Sequence, residues 1–130
     1  MEQILTSAQI NDFDDEAVLV AGDPSWPLGV LGLAASRLVE KFYRPVFLWS
    51  ENGRGEIKGS CRSDGRVSVV DLMEESRALF THFGGHKMSG CFGVDQDKIH
   101  ILEQALSDSY KKLFIAHSND VEDFEGLIKE

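Results

Sequence analysis

The sequence predicts one α/β domain, a mixed β-sheet with helices packed on it, in the order β-α-β-β-α-β-α. Three observations carry that expectation. Short apolar runs such as Ala17-Val18-Leu19-Val20-Ala21 have the length and composition of buried strands. The segments between them repeat their apolar residues at helical spacing. With 130 residues, 42% hydrophobic and 27% charged, the chain can bury one core without disulfides or metal.

Taken in order, residues 1–12 show weak helical spacing through Ile4, Leu5 and Ala8, then a polar break at Asn11-Asp12-Phe13-Asp14-Asp15. The first strand, 17–21, is closed by Gly22, and Pro24 and Pro27 hold the following loop extended. From Gly29 to Phe42 the residues Leu31, Ala34, Ala35, Leu38 and Phe42 mark one helix face, with Arg37, Glu40 and Lys41 opposite; Pro45 stops the helix. Val46-Phe47-Leu48-Trp49 and residues 56–63 read as a strand pair joined across Asn52-Gly53. Ser68 with Asp71 starts a second helix, on which Leu72, Met73, Ser76, Leu79, Phe80 and Phe83 share a face and which Gly84 ends. Residues 90–94 form a strand. Asp95 caps a long helix with Ile99, Leu102, Ala105, Leu106, Tyr110 and Leu113 inward, and 121–129 forms a short further helix.

Charge is unevenly placed. The net charge is −9, which argues against a generic nucleic-acid coat. Residues 1–28 hold six acids and no Lys or Arg, and 92–130 hold nine acids against four bases, whereas 29–91 hold nine bases against seven acids. An anion site therefore belongs in the middle of the chain. No apolar run approaches the ~18 residues that cross a bilayer, so no membrane is expected among the partners. Met1-Glu2-Gln3 has neither the basic nor the apolar character of a signal peptide, which makes cytoplasmic the expected location. Cys61 and Cys91, without CxxC spacing, read as two buried thiols of a reducing compartment.

Two stretches carry the chemistry. In the strand 56–63, Ile57, Gly59 and Cys61 fall on one face and Lys58, Ser60 and Arg62 on the other, so an amine, a hydroxyl and a guanidinium stand side by side. Arg62 has the planar fork that holds a phosphate bidentately, and the rival reading is a solvated sheet face. At Gly84-Gly85-His86-Lys87, two glycines let a ligand approach bare backbone N–H groups, while the histidine and lysine add a titratable donor and a positive charge. The rival reading there is a helix C-cap and a surface turn.

Enzymatic constellations are missing. His82 and His86 have the spacing of a helical zinc pair, but glycines intervene, HExxH is absent, and Cys61 and Cys91 lack paired spacing. Asp12, Asp14, Asp15 and Glu16 lack EF-hand spacing and read as a solvated loop. Neither GxSxG nor a P-loop occurs. The inventory is that of a binding surface.

Residues 84–92, Gly-Gly-His-Lys-Met-Ser-Gly-Cys-Phe, resemble the Gly-Gly-His signature of the DHH-associated domain, the substrate-binding half of DHH phosphoesterases. Three more blocks, at 29–40, 43–48 and 58–63 (Lys-Gly-Ser-Cys-Arg-Ser), are similar to the RecJ type, the single-stranded-DNA-specific exonuclease; together the blocks cover roughly 17–114. The loop Ser25-Trp26-Pro27 departs from the family's Gly-Trp-His. Ser89-Gly90-Cys91 departs from its Ala-Ala-Gly, and Cys61 stands where a glycine is usual.

The resemblance implies a substrate domain at 15–116, preceded at 1–14 by a connecting segment from an upstream domain and followed at 117–130 by an extension. It implies that Lys58, Ser60, Arg62, Ser63, Gly84, Gly85 and His86 contact substrate phosphate and sugar. It implies no metal and no turnover in this chain, with Mn²⁺ or Mg²⁺ held by a separate DHH catalytic half of the same parent. The partners are then that half and a single-stranded DNA or oligonucleotide, in a parent that hydrolyses phosphodiesters in DNA repair and recombination. Two rivals remain: the substrate domain of a small-nucleotide phosphoesterase, and a degenerate interaction module.

Overall fold

The computed structural model describes Ile4 and residues 17–129, with side chains described for Ile4 and 17–116. The expectations for 1–3, 5–16 and the side chains beyond 116 lie outside the described residues. Five strands form one mixed sheet: β1 (Leu19–Gly22), β2 (Val46–Glu51), β3 (Ile57–Arg62), β4 (Phe80–Gly85) and β5 (Ser89–Val94). They stand in the order β1-β2-β3-β5-β4. Only β1 and β2 run parallel, joined by the crossover helix α1 (Leu31–Phe42); the other neighbours are antiparallel. Helix α2 (Val69–Glu75) and the long α3 (Leu102–Lys129) complete the fold.

Most elements follow from local chemistry. α1 ends at Phe42 because Tyr43 turns left-handed at φ 56, just ahead of Pro45, and its N–H reaches Val39 O at 2.8 Å. The β2–β3 loop is longer than a two-residue turn. Asn52 Oδ1 accepts the N–H groups of Arg54 and Glu56 at 2.9 and 3.0 Å, and Gly55 rather than Gly53 takes the positive φ of 77°. Ser68 Oγ accepts Asp71 N–H at 3.3 Å, as the capping pattern requires.

One element differs from expectation. The second helix stops at Glu75, and Phe80–Gly85 is an edge strand of 6 residues, not a helix end. A bulge between Phe80 and His82 shifts the alternation, so Phe80 and Phe83 both face inward although three residues apart. That spacing imitates a helix. The observed order is therefore β-α-β-β-α-β-β-α, and Gly84 lies in a strand rather than on a helix cap. Residues 121–129 continue α3 instead of forming a separate helix.

The sheet's two faces are unequal. On one face α2 and α3 press Leu72, Met73, Leu102 and Leu106 onto Phe47, Ile57, Cys61, Phe92 and Val94, covering the sheet across its width. On the other, α1 presses Leu31, Ala34, Ala35 and Leu38 onto Leu19, Ala21, Val46 and Leu48, which belong to β1 and β2 alone. The free edge of β1 is closed by α3: Ser107 Oγ accepts Val18 N–H at 3.1 Å and Glu103 Oε2 accepts Val20 N–H at 3.2 Å.

Candidate functional site

The registers show what lies beyond α1. Opposite Val46, Leu48 and Ser50 of β2 stand Arg62, Ser60 and Lys58 of β3, on the same face. Across β3 come Ser89, Cys91 and Gly93 of β5, and then Gly84 and His82 of β4. Helix α1 packs over β2 and the near side of β3, and among the described residues no helix lies over β5 and β4 on this face. The result is an open polar trough, floored by β3, β5 and β4 and walled by α1.

Arg62 is at one end. It lies beneath α1, where a Cβ on Gly32 would push its guanidinium aside, so the glycine leaves the room in which the arginine sits. Nη1 donates to Cys61 O at 2.7 Å, and none of the ion pairs among the described residues involves Arg62. A hollow of about 400 Å³ opens beside it, lined by Val39, Glu40, Ser63, Met88 and Ser89 among others. A half-buried guanidinium in no ion pair among the described residues, beside an open hollow, suits an anion.

The β4–β5 hairpin forms the lip of that hollow. His86 N–H donates to Ser89 O at 2.9 Å. By the alternation of an antiparallel ladder, the Gly84 N–H is then directed at β5 and the Gly85 N–H at the open edge. The carbonyl of Gly84 does face Gly90. Of the two sequence-predicted amides, only that of Gly85 is thus available to a ligand. Gly84 contributes differently: a Cβ there would meet nothing within 4 Å, so it is bare floor. Gly85, at φ 141, would strike Gly90 with any Cβ.

His86 is held inside the hairpin. Its Nδ1 accepts Met88 N–H at 3.3 Å, which puts the ring hydrogen on Nε2, 3.1 Å from Ser89 Oγ. Ser63 is buried and its hydroxyl is engaged twice, donating to Val67 O at 2.8 Å and accepting Gly65 N–H at 2.9 Å. It shapes the turn beneath Arg62 and has no hydrogen to offer a ligand. Lys87 leaves the trough: it borders a separate hollow with Arg66, Ser68, Asp71 and Leu113.

At the far end, Lys58 Nζ lies 3.4 Å from His82 Nε2, and the His82 ring rests on Gly93, where a Cβ would displace it. The sequence suggested His82 only as half of a zinc pair, because the helical reading of 72–83 hid the strand face that sets it beside Lys58. Of the two cysteines, Cys61 meets the expectation of a buried thiol and Cys91 does not. Cys61 is buried on the helix-covered face, and burial pushes its thiol up to about 12. Cys91 is exposed on the trough floor, since neighbouring register positions put the two on opposite faces. Among the described residues no three of His, Cys, Asp and Glu gather to hold a metal ion, and no helix is long and apolar enough to cross a membrane.

A model of the DHHA1 domain family matches residues 15–112. The single-stranded-DNA-specific exonuclease RecJ of Escherichia coli is 35% identical over 89 residues, 65% of this chain and 15% of that protein. The protein of the same name from Bacillus subtilis is 33% identical over 95 residues, 72% of this chain and 12% of that protein. The crystal structure of RecJ in complex with Mg²⁺ from Thermus thermophilus superposes with a TM-score of 0.75 at 28% identity, covering 85% of this chain and 17% of that one. The chain therefore spans between 12% and 17% of the length of these relatives. The described residues hold no ligand set that fits the Mg²⁺ of that complex.

Proposed function

Because this chain belongs to the DHHA1 domain family, we propose that it is the substrate-binding domain of a RecJ-like exonuclease, gripping a single-stranded nucleic acid without turnover of its own. One observation carries the reading: among the described residues no helix lies over β5 and β4 on one sheet face, and Arg62 stands at the edge of that region in none of the ion pairs. Arg62 holds a phosphate, the Ser60 hydroxyl and the outward Gly85 N–H add hydrogen bonds, and the His86–Ser89 pair presents a hydroxyl at the lip. Ser63 and Gly84 act indirectly, one by fixing the turn and the other by leaving room. Cleavage, with any Mg²⁺ or Mn²⁺, belongs to a catalytic DHH domain of the parent that closes over the trough.

Fluorescence anisotropy of a labelled single-stranded oligonucleotide, titrated at low and moderate salt, tests this. Weak, salt-sensitive binding is expected, because few phosphates are neutralised. Arg62→Ala should weaken it about tenfold, the scale of a charge-assisted contact. Unchanged binding by Arg62→Ala would overturn the reading. A marked preference for dinucleotides over longer strands would move it to a small-nucleotide phosphoesterase.

A further inference from the structure

The trough has two positively charged ends, and a grip through Arg62 uses only one. We infer that Lys58 and His82 form a second phosphate subsite, so that the trough takes a run of consecutive phosphates along β3 rather than one terminal phosphate. This deepens the proposed function and rests on it.

Spacing is the first support. Lys58, Ser60 and Arg62 alternate on one strand, two residues apart, with the intervening residues buried. Two residues of strand advance ~6.6 Å, close to the repeat of an extended sugar–phosphate backbone, since two peptide units and one nucleotide unit contain the same number of backbone bonds. A nucleotide chain laid along β3 therefore brings successive phosphates to Arg62, Ser60 and Lys58 in turn.

Geometry is the second. His82 comes from β4, across β5, and its ring reaches over Gly93 to stand 3.4 Å from Lys58 Nζ. Its other nitrogen lies 3.3 Å from Thr81 Oγ1. The ammonium can only donate, so His82 Nε2 accepts and the ring hydrogen lies on Nδ1; the imidazole from another strand thus steadies the Lys58 ammonium over the trough floor, with ammonium hydrogens left for a phosphate. Between the two ends the floor is Ser60, Cys91 and Gly84, short side chains that leave a backbone room to pass.

Two carboxylates face this end. Glu56 Oε2 is 3.8 Å from Lys58 Nζ, and Asp95 borders the same hollow as Lys58, Thr81 and His82. Both sit just past the sheet, where β3 begins and β5 ends. They bound the path: a phosphate past Lys58 would meet negative charge. The trough accordingly takes three phosphates and no more.

NMR titration of the full chain with thymidylates of increasing length, each 5′-phosphorylated, reads binding even when it is weak. Affinity should climb from the mononucleotide to the trinucleotide and then level off. The Lys58→Ala/His82→Ala double variant should bind the mononucleotide like the parent chain and the trinucleotide about tenfold more weakly, with a salt slope lower by ~0.7 for the lost phosphate. Lys58→Arg should restore the trinucleotide. If the double variant binds the trinucleotide unchanged while Arg62→Ala weakens it, the second subsite falls and the substrate-domain reading stands. If Arg62→Ala changes nothing, or no length binds, both fall.

Discussion

Leu48 and Ser60 face each other across the β2–β3 ladder, on the same side of the sheet, yet they belong to different halves of the molecule. Leu48 is sealed beneath α1, and Ser60 is half-exposed just beyond it. The backbone treats them alike. What separates a core from a binding surface here is where a helix axis runs, not how a strand is made. On the covered half Val46 and Leu48 are apolar and the buried Ser50 must give its hydroxyl to Trp26 O; beyond the helix the facing positions are free to carry an amine, a hydroxyl and a guanidinium.

The largest expected effect breaks that symmetry directly. Leu48→Ala empties a sealed site and should cost ~2–5 kcal/mol in urea unfolding. Ser60→Ala, at the facing ladder position, should change stability by no more than about 0.5 kcal/mol while weakening oligonucleotide binding. Similar losses of stability in both variants would mean that the bare half is packed and is no trough.

Neighbouring glycines draw the same line more finely. Gly85→Ala forces a Cβ into Gly90 at a φ that side chains rarely adopt, and should destabilise the fold by ~1–3 kcal/mol. Gly84→Ala adds its methyl to open space and should leave thermal unfolding unchanged while reducing binding, because it raises the floor. Equal melting temperatures for the two variants would contradict the hairpin geometry.

Much of this arrangement was legible in the sequence. The alternation of Lys58, Ser60 and Arg62 against Ile57, Gly59 and Cys61 placed the polar row correctly, because strand periodicity is a property of the backbone alone. The helix beside it was equally plain from Leu31, Ala34, Ala35 and Leu38. β4 was not, since its bulge sets Phe80 and Phe83 at a helical interval, and with β4 went the position of His82. Nor could spacing show that Ser63 spends its hydroxyl on Val67 and Gly65, or that Cys91 faces outward. Those depend on tertiary neighbours.

The two thiols offer a chemical version of the comparison. In the native chain an alkylating reagent should modify Cys91 and spare Cys61, with oligonucleotide slowing the reaction at Cys91; in denaturant both should react. Burial raises the folded Cys61 thiol to about 12, so folding favours its neutral form. That contribution is complete below the unfolded thiol's ordinary value of ~8.5 and is lost as pH rises from there towards 12. Unfolding midpoints should therefore decline above pH ~8.5, and less steeply in Cys61→Ala than in the parent chain. Equal slopes would remove Cys61 as a source of alkaline sensitivity.

The smallest effect concerns the two ends of the trough. Arg62 has no carboxylate on it among the described residues, whereas Lys58 shares its charge with Glu56 at 3.8 Å, and the Glu56 carboxyl is held below its ordinary range by the Asn52 amide and by Lys58. A phosphate at Lys58 must therefore compete with a carboxylate already paired to the ammonium, whereas at Arg62 the nearby Glu40 lines the hollow without pairing to the guanidinium. Glu56→Gln removes the rival's charge and keeps its shape. Because an exposed pair is weak, the gain should stay within about fivefold. It should appear for the trinucleotide, which reaches Lys58, and be absent for the mononucleotide, which stops at Arg62. A gain of the same size for both lengths would mean that Glu56 acts through the overall field of the domain, and the two ends would no longer be distinct sites.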